Sequence, residues 1–130
     1  MQHISEILHE EFLIAKLNAG ETVVLNLRKH INAINYAISR KKAIYCDRRK
    51  GSKYGNPHVM KSESERLKVV RAFWNDIKHG RTKLKENDFR VLKGKALVCW
   101  CYPKKCHCEA LKFVSDKLAA GYTFDEIKRM

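Results

Sequence analysis

A chain of 130 residues has room for one domain around one buried core. Its 45% hydrophobic content, with only two prolines and six glycines, excludes a disordered or low-complexity chain. The formal net charge of +13, from 27 Lys and Arg against 14 Asp and Glu, favours a polyanionic partner such as nucleic acid or a nucleotide.

No run of eighteen apolar residues occurs, and the N-terminal MQHISEILHEEF carries acids where a secretory signal has bases followed by an apolar stretch. The expectation is a cytoplasmic protein with no membrane contact. Five cysteines in such a chain read as thiols, thiolates or ligands, because an odd count cannot pair completely and the cytosol keeps sulfur reduced. The positive charge is concentrated mid-chain: residues 28 to 53 hold nine Lys and Arg and only Asp47, whereas residues 1 to 21 hold four acids and Lys16. Charge alone also fits a solubilising surface.

In chain order, residues 3 to 19 predict an amphipathic helix on Ile4, Ile7, Leu8, Phe12 and Leu17, stopped by Gly20. TVVLNLR (22 to 28) is short and β-branched and reads as a strand buried on both faces at its start. KHINAINYAISR places Ile31, Ile34 and Ile38 at helical spacing, against an asparagine content poor for a helix interior, and is read as helix. KAIYC (42 to 46) reads as a second strand, followed by the turn-rich loop DRRKGSKYGNPHVM, in which Asn56 must be extended before Pro57. Ser62 and Glu65 form a capping-box pattern ahead of a helix lined by Leu67, Val70, Phe73, Trp74 and Ile77 and ending at Gly80. RTKLKENDFRVLKG reads as a basic connector to the strand KALVCWC (95 to 101). A loop through Pro103 leads to a helix from about Cys106 to Ala120, and Thr123 with Glu126 caps a short last helix after Gly121.

Three strands separated by helices predict an α/β fold: a small single domain with a short, mostly parallel sheet flanked by helices. The expected division is an N-terminal helix over residues 1 to 21 packed on the domain, an α/β domain over 22 to 120, and a short C-terminal helix over 121 to 130. Ligands in such sheets sit at the carboxyl ends of strands, which are the positions of loops 47 to 60 and 101 to 107.

The segment CWCYPKKCHC (99 to 108) spans strand end, loop and helix start. In an extended Val98 to Cys101, Cys99 and Cys101 share one face and Trp100 takes the other, while Cys106 and His107 fall at the first helical turn. A helix start lowers a thiol pKa and attracts anions, and Lys104 and Lys105 act in the same sense. The C-x-C-x4-C-x-C spacing does not match the usual zinc knuckles. Three readings stay open: zinc through Cys99, Cys101, Cys106 and either His107 or Cys108; a reactive thiolate at Cys106 or Cys101; and buried, chemically silent sulfur, which suits Cys99 and Cys108 best.

IYCDRRKGSKYGNPHVM (44 to 60) and GKALVCWCYPKKCHCEAL (94 to 111), with a helix between them, resemble the uncharacterised family called domain of unknown function 4326, found in phages, large viruses and bacteria. Its members carry a Gly-Asn-Pro loop and a strand ending in Cys-Trp-Cys, then proline, then Cys-His at a helix start. The likeness covers roughly residues 22 to 118 and implies shared positions at Asn26, Arg28, Arg48, Gly55, Asn56, Pro57, Cys99, Trp100, Cys101, Pro103, Cys106 and His107. Cys46, Asp47, His58 and Cys108 depart from the family pattern, which sets Cys108 outside a shared site. The resemblance implies no activity.

The expectation for function is an anionic nucleotide or nucleic-acid ligand held between Asn26, Arg28, Arg48, Gly55, Asn56, Pro57 and Lys104 on one side and Cys101, Cys106 and His107 on the other, the last three being the candidate catalytic groups. The alternatives are a noncatalytic, phage-type interaction protein that binds a host protein, with Trp74 and Tyr54 as exposed contacts, and a thiol-dependent hydrolase or transferase. The oligomeric state is open on sequence.

Overall fold

The computed structural model describes residues 4–47, 52–100 and 106–130. Its elements are α1 (Ile4–Asn18), β1 (Val23–Asn26), α2 (Ile31–Ser39), β2 (Ala43–Tyr45), a 3-10 turn (Glu63–Glu65), α3 (Arg66–Lys78), α4 (Glu86–Arg90), β3 (Ala96–Cys99), α5 (His107–Ala119) and α6 (Phe124–Lys128). The strands form one parallel sheet in the order β1-β3-β2. Val23 and Ala43 both stand beside Ala96, so the last strand in sequence lies in the middle.

Strand alternation divides the interior in two. Val24, Leu97, Cys99 and Ile44 face a cluster built with Phe73, Ile77, Phe89, Leu111, Val114 and Ile127, from α3 to α6. Val23, Leu25, Ala96 and Val98 face a second cluster with Leu13 and Leu17 of α1 and Ala33, Ile34 and Ala37 of α2. The result is a three-layer α/β/α domain in which β1 and β3 are buried on both faces, as the near-continuous apolar runs VVLN and ALVC require.

Several sequence expectations are corrected. Of the α1 stripe, only Leu17 is buried; Ile4, Ile7, Leu8 and Phe12 are exposed, and the second core residue is Leu13. The reason lies in Glu10, which turns inward at 4% exposure and accepts the Ala33 backbone N–H at 2.9 Å. That carboxylate satisfies an orphan donor in the first turn of α2, where His30 provides no side-chain cap, and it fixes which side of α1 faces the sheet. In α2 itself the buried face is Ala33, Ile34 and Ala37, with Ile31 and Ile38 exposed.

The Ser62–Glu65 box forms one residue out of place. Glu65 reaches the Lys61 N–H at 2.9 Å, Ser62 Oγ meets Ser64 Oγ at 2.8 Å, and the α-helix begins only at Arg66, after the 3-10 turn. By contrast, Thr123 and Glu126 cap each other reciprocally at 3.1 and 3.0 Å. The connector 81 to 94 contains α4, whose Phe89, with Leu84 and Leu92 beside it, is buried. Tyr54 is buried too: its hydroxyl donates to the Asp88 carbonyl at 2.7 Å, and burial, then the charge of Asp88 and of Cys46, push its pKa up to about 12. Among the described residues no helix is long and apolar enough to cross a membrane.

Candidate functional site

The β-ladder runs past the strand ends. Leu27 N–H donates to Cys99 O at 2.7 Å and Cys46 N–H to Val98 O at 2.9 Å, so Asn26, Cys46 and Cys99 form a level edge at the carboxyl end of the sheet. From this edge β1 leads to α2 on one face, whereas β2 and β3 lead to α3 and α5 on the other. Adjacent strands whose connections diverge open a crevice between them, and here they are β1 and β3.

Asn26 and Trp100 occupy that crevice. Asn26 Nδ2 donates to Trp100 O at 3.2 Å, while its Oδ1 accepts the N–H groups of Arg28 and Lys29 at 2.8 and 3.1 Å. The Asn26 side chain thus shapes the turn after β1 and ties it to the end of β3. Arg28, so placed, holds its guanidinium 4.8 Å from the centre of the Trp100 ring, a cation–π distance. Trp100 is 49% exposed and its indole N–H points to Asp47 Oδ2 at 3.3 Å.

Trp100 also walls a cavity of about 420 Å³, lined with Cys46, Asp47, Cys99, Cys106 and His107 from the sheet edge and helix start, and with Asn56, His58, Met60, Arg66, Val69 and Val70 from the loop and α3. Asn56 lines it as expected, with its carboxamide turned to the protein: Nδ2 donates to Val69 O at 3.1 Å and Oδ1 accepts His58 N–H at 2.9 Å. Its neighbours Gly55 and Pro57 are outside the lining. Arg66 forks onto Glu63 at 2.6 and 2.8 Å. His58 Nε2 lies 2.6 Å from Asp76 Oδ2, and Arg81 holds the other oxygen at 2.8 Å. Burial alone would raise the Asp76 pKa; the hydrogen bonds from Arg81 and His58 outweigh it and hold the carboxyl below its ordinary value.

Cys106 is the extended N-cap of α5 and His107 its first residue. Their side chains meet, Cys106 Sγ to His107 Nδ1 at 3.6 Å, and the other ring nitrogen is 2.8 Å from the Tyr54 carbonyl. A carbonyl only accepts, so Nε2 carries hydrogen and Nδ1 is left to share a proton with sulfur. Phe73 packs edge-on against the imidazole at 5.1 Å. Burial pushes the His107 pKa down, but the hydrogen bond and charge of Cys106, with the Tyr54 carbonyl, leave it raised overall.

Cys108, read from sequence as buried sulfur, is buried. It follows Cys106 by one half-turn and points into the same space: the sulfurs of Cys99, Cys106 and Cys108 all lie within 4.8 Å of one another. Cys46, wholly buried just past β2, packs in the same cluster of the core, its thiol donating to the Ile44 carbonyl at 3.7 Å. Hydrogen bonds with Cys106, Cys46 and Cys99, then burial, raise the Cys108 pKa well above that of an ordinary thiol. All three sulfurs of the 4.8 Å group belong to the segment 99 to 108, where Cys108 stood as an alternative to His107 among the candidate metal ligands. Arg48, Cys101 and Lys104 lie outside the described residues, as does Pro103. Arg66, His58 and Asp47 line the cavity without having been singled out as ligand groups, their only signal being proximity to the turn-rich loop.

The family model described as Domain of unknown function (DUF4326) matches residues 25–117, from the end of β1 through most of α5. The chain belongs to this family. The match takes in the sheet edge, the cavity and the cysteine cluster together, whereas α1 and α6 lie outside it. No curated protein and no solved structure matches the chain.

Proposed function

We propose that the domain binds an anionic nucleotide or a nucleic-acid segment at the carboxyl edge of its sheet. The observation that carries this reading is Trp100: half-exposed, bordering the cavity and in cation–π contact with the Arg28 guanidinium, at the crevice where the β1 and β3 connections part. An aromatic face offers stacking to any base, an arginine fork offers paired donors to phosphate, and the excess of 27 basic over 14 acidic residues draws a polyanion in. In this reading Asn26 and Asn56 hold the two loops in shape rather than touch the ligand. Titration with a nucleotide panel and with short single-stranded DNA and RNA tests it. Binding is expected to weaken with rising salt and to fall at least tenfold in Arg28→Ala and Trp100→Ala. No binding to any probe, or equal binding by both variants, refutes it.

A second reading rests on the Cys106–His107 contact at 3.6 Å, with Tyr54 orienting the ring: a thiol paired to a base at a cavity wall is the arrangement of a thiol nucleophile. It predicts one cysteine that reacts with iodoacetamide far faster than the others near neutral pH. Uniformly slow labelling rules it out.

A further inference from the structure

We infer that Cys99, Cys106 and Cys108, with Cys46 as fourth ligand, form a zinc site that clamps the carboxyl edge of the sheet to the start of α5. Sulfurs around zinc at about 2.3 Å stand about 3.8 Å apart in a tetrahedron. The three sulfurs within 4.8 Å of one another need only a small contraction to reach that spacing, and all are buried. Three separate backbone positions supply them: the last residue of β3, the N-cap of α5 and the second residue of that helix. Cys46, buried just past β2 and outside the 4.8 Å group, would complete the tetrahedron by turning its thiol away from the Ile44 carbonyl, which it now meets at 3.7 Å. Soft thiolates in tetrahedral array select zinc over the hard cations.

The surroundings suit a thiolate cluster. Cys106 is the N-cap of α5, at the positive end of the helix dipole. His107, turned by the Tyr54 carbonyl, aims Nδ1 at the Cys106 sulfur, as an outer hydrogen-bond donor to a metal-bound thiolate does. Coordination converts four thiols and Zn²⁺ into one tetrathiolate centre; of the four protons, one stays on His107 Nδ1 as donor to the Cys106 thiolate and three leave to solvent. No electron is transferred, and Cys106 as a ligand is no longer a nucleophile. The site borders the cavity through Cys46, Cys99 and Cys106, so it would fix the wall that carries Trp100.

The test uses the untagged full chain. Native mass spectrometry with elemental analysis is expected to find one zinc per chain, removed by a strong chelator with a drop in melting temperature. Readdition of Zn²⁺ in weak buffer should release about three protons per ion at a pH where free thiols stay protonated. Co²⁺ in its place should give the intense visible bands and sulfur-to-cobalt charge transfer of tetrahedral thiolate coordination. In Cys46→Ala the charge-transfer intensity should fall by the share of one sulfur–cobalt bond; in Cys99→Ala and Cys108→Ala tight binding should be lost. If either of these fails to fold, the wild-type titration decides alone. A wild-type chain without zinc that leaves Co²⁺ in its pale octahedral form overturns the inference. So do iron in place of zinc, or folded Cys99→Ala and Cys108→Ala variants with unchanged cobalt spectra.

Discussion

Asn26→Ala should destabilise the domain by about 2 to 3 kcal/mol, although the side chain is small and polar. The substitution removes three hydrogen bonds, from Arg28 N–H at 2.8 Å, from Lys29 N–H at 3.1 Å and to Trp100 O at 3.2 Å, at a site only 5% exposed. Each is worth about 1 kcal/mol net, and the two backbone donors sit in a solvent-facing turn where water replaces part of what they lose. Asn26→Asp separates the contributions. It keeps the acceptor for both N–H groups and turns the donor facing Trp100 O into a second acceptor, so its loss should be about 1 kcal/mol. Urea denaturation followed by far-ultraviolet circular dichroism gives both numbers if the slopes match wild type. For a chain of this size the alanine variant should melt about 8 to 12 °C lower. A loss under about 0.5 kcal/mol for alanine, or an aspartate variant as unstable as alanine, would show that the three bonds do not hold the β1 turn to β3.

Phe89→Ala, at a ring wholly buried against Phe124, should cost about 3 to 5 kcal/mol, whereas Phe12→Ala should cost less than about 1 kcal/mol; equilibrium denaturation of the pair checks the orientation of α1. Thr123→Ala breaks the reciprocal cap of α6 and should lower stability by about 1 kcal/mol, seen as a shift in urea midpoint without a change in slope. Asp76 has a folded pKa below its ordinary 3.8, so its contribution is complete above that value and fades as pH falls through the depressed one. The stability gap between wild type and Asp76→Asn should therefore be constant at higher pH and close on acidification; a gap that widens in acid contradicts the assignment.

The layers of the fold were legible because they rest on local pattern. VVLN and ALVC announce strands buried on both faces, and Gly20, Gly80 and Gly121 stop their helices with positive φ. What local pattern could not supply was the side of α1 that faces the sheet, because a carboxylate, Glu10, is drawn inward by the open end of α2 and outweighs an isoleucine stripe. Tyr54 escaped for a similar reason, its hydroxyl being satisfied by a carbonyl of α4, a helix too short to show a period. Asn56, Cys106 and His107, singled out from their places at loop and helix start, line one cavity. Cys108 was discounted on a family pattern, and Cys46 was passed over because nothing in the sequence shows that β2 ends beside β3.

The position of β3 also sets the order in which this protein can fold during synthesis. β1 and β2 each pair with β3, and neither touches the other, so a nascent chain that has emerged only as far as Gly94 holds two strands with open edges and no common partner. Every sheet contact waits for residues 96–99 to slot between them, and the closing pairs span from Val23 to Ala96. A sheet completed by its central strand folds late and through distant contacts, leaving unpaired edges exposed until β3 has been translated.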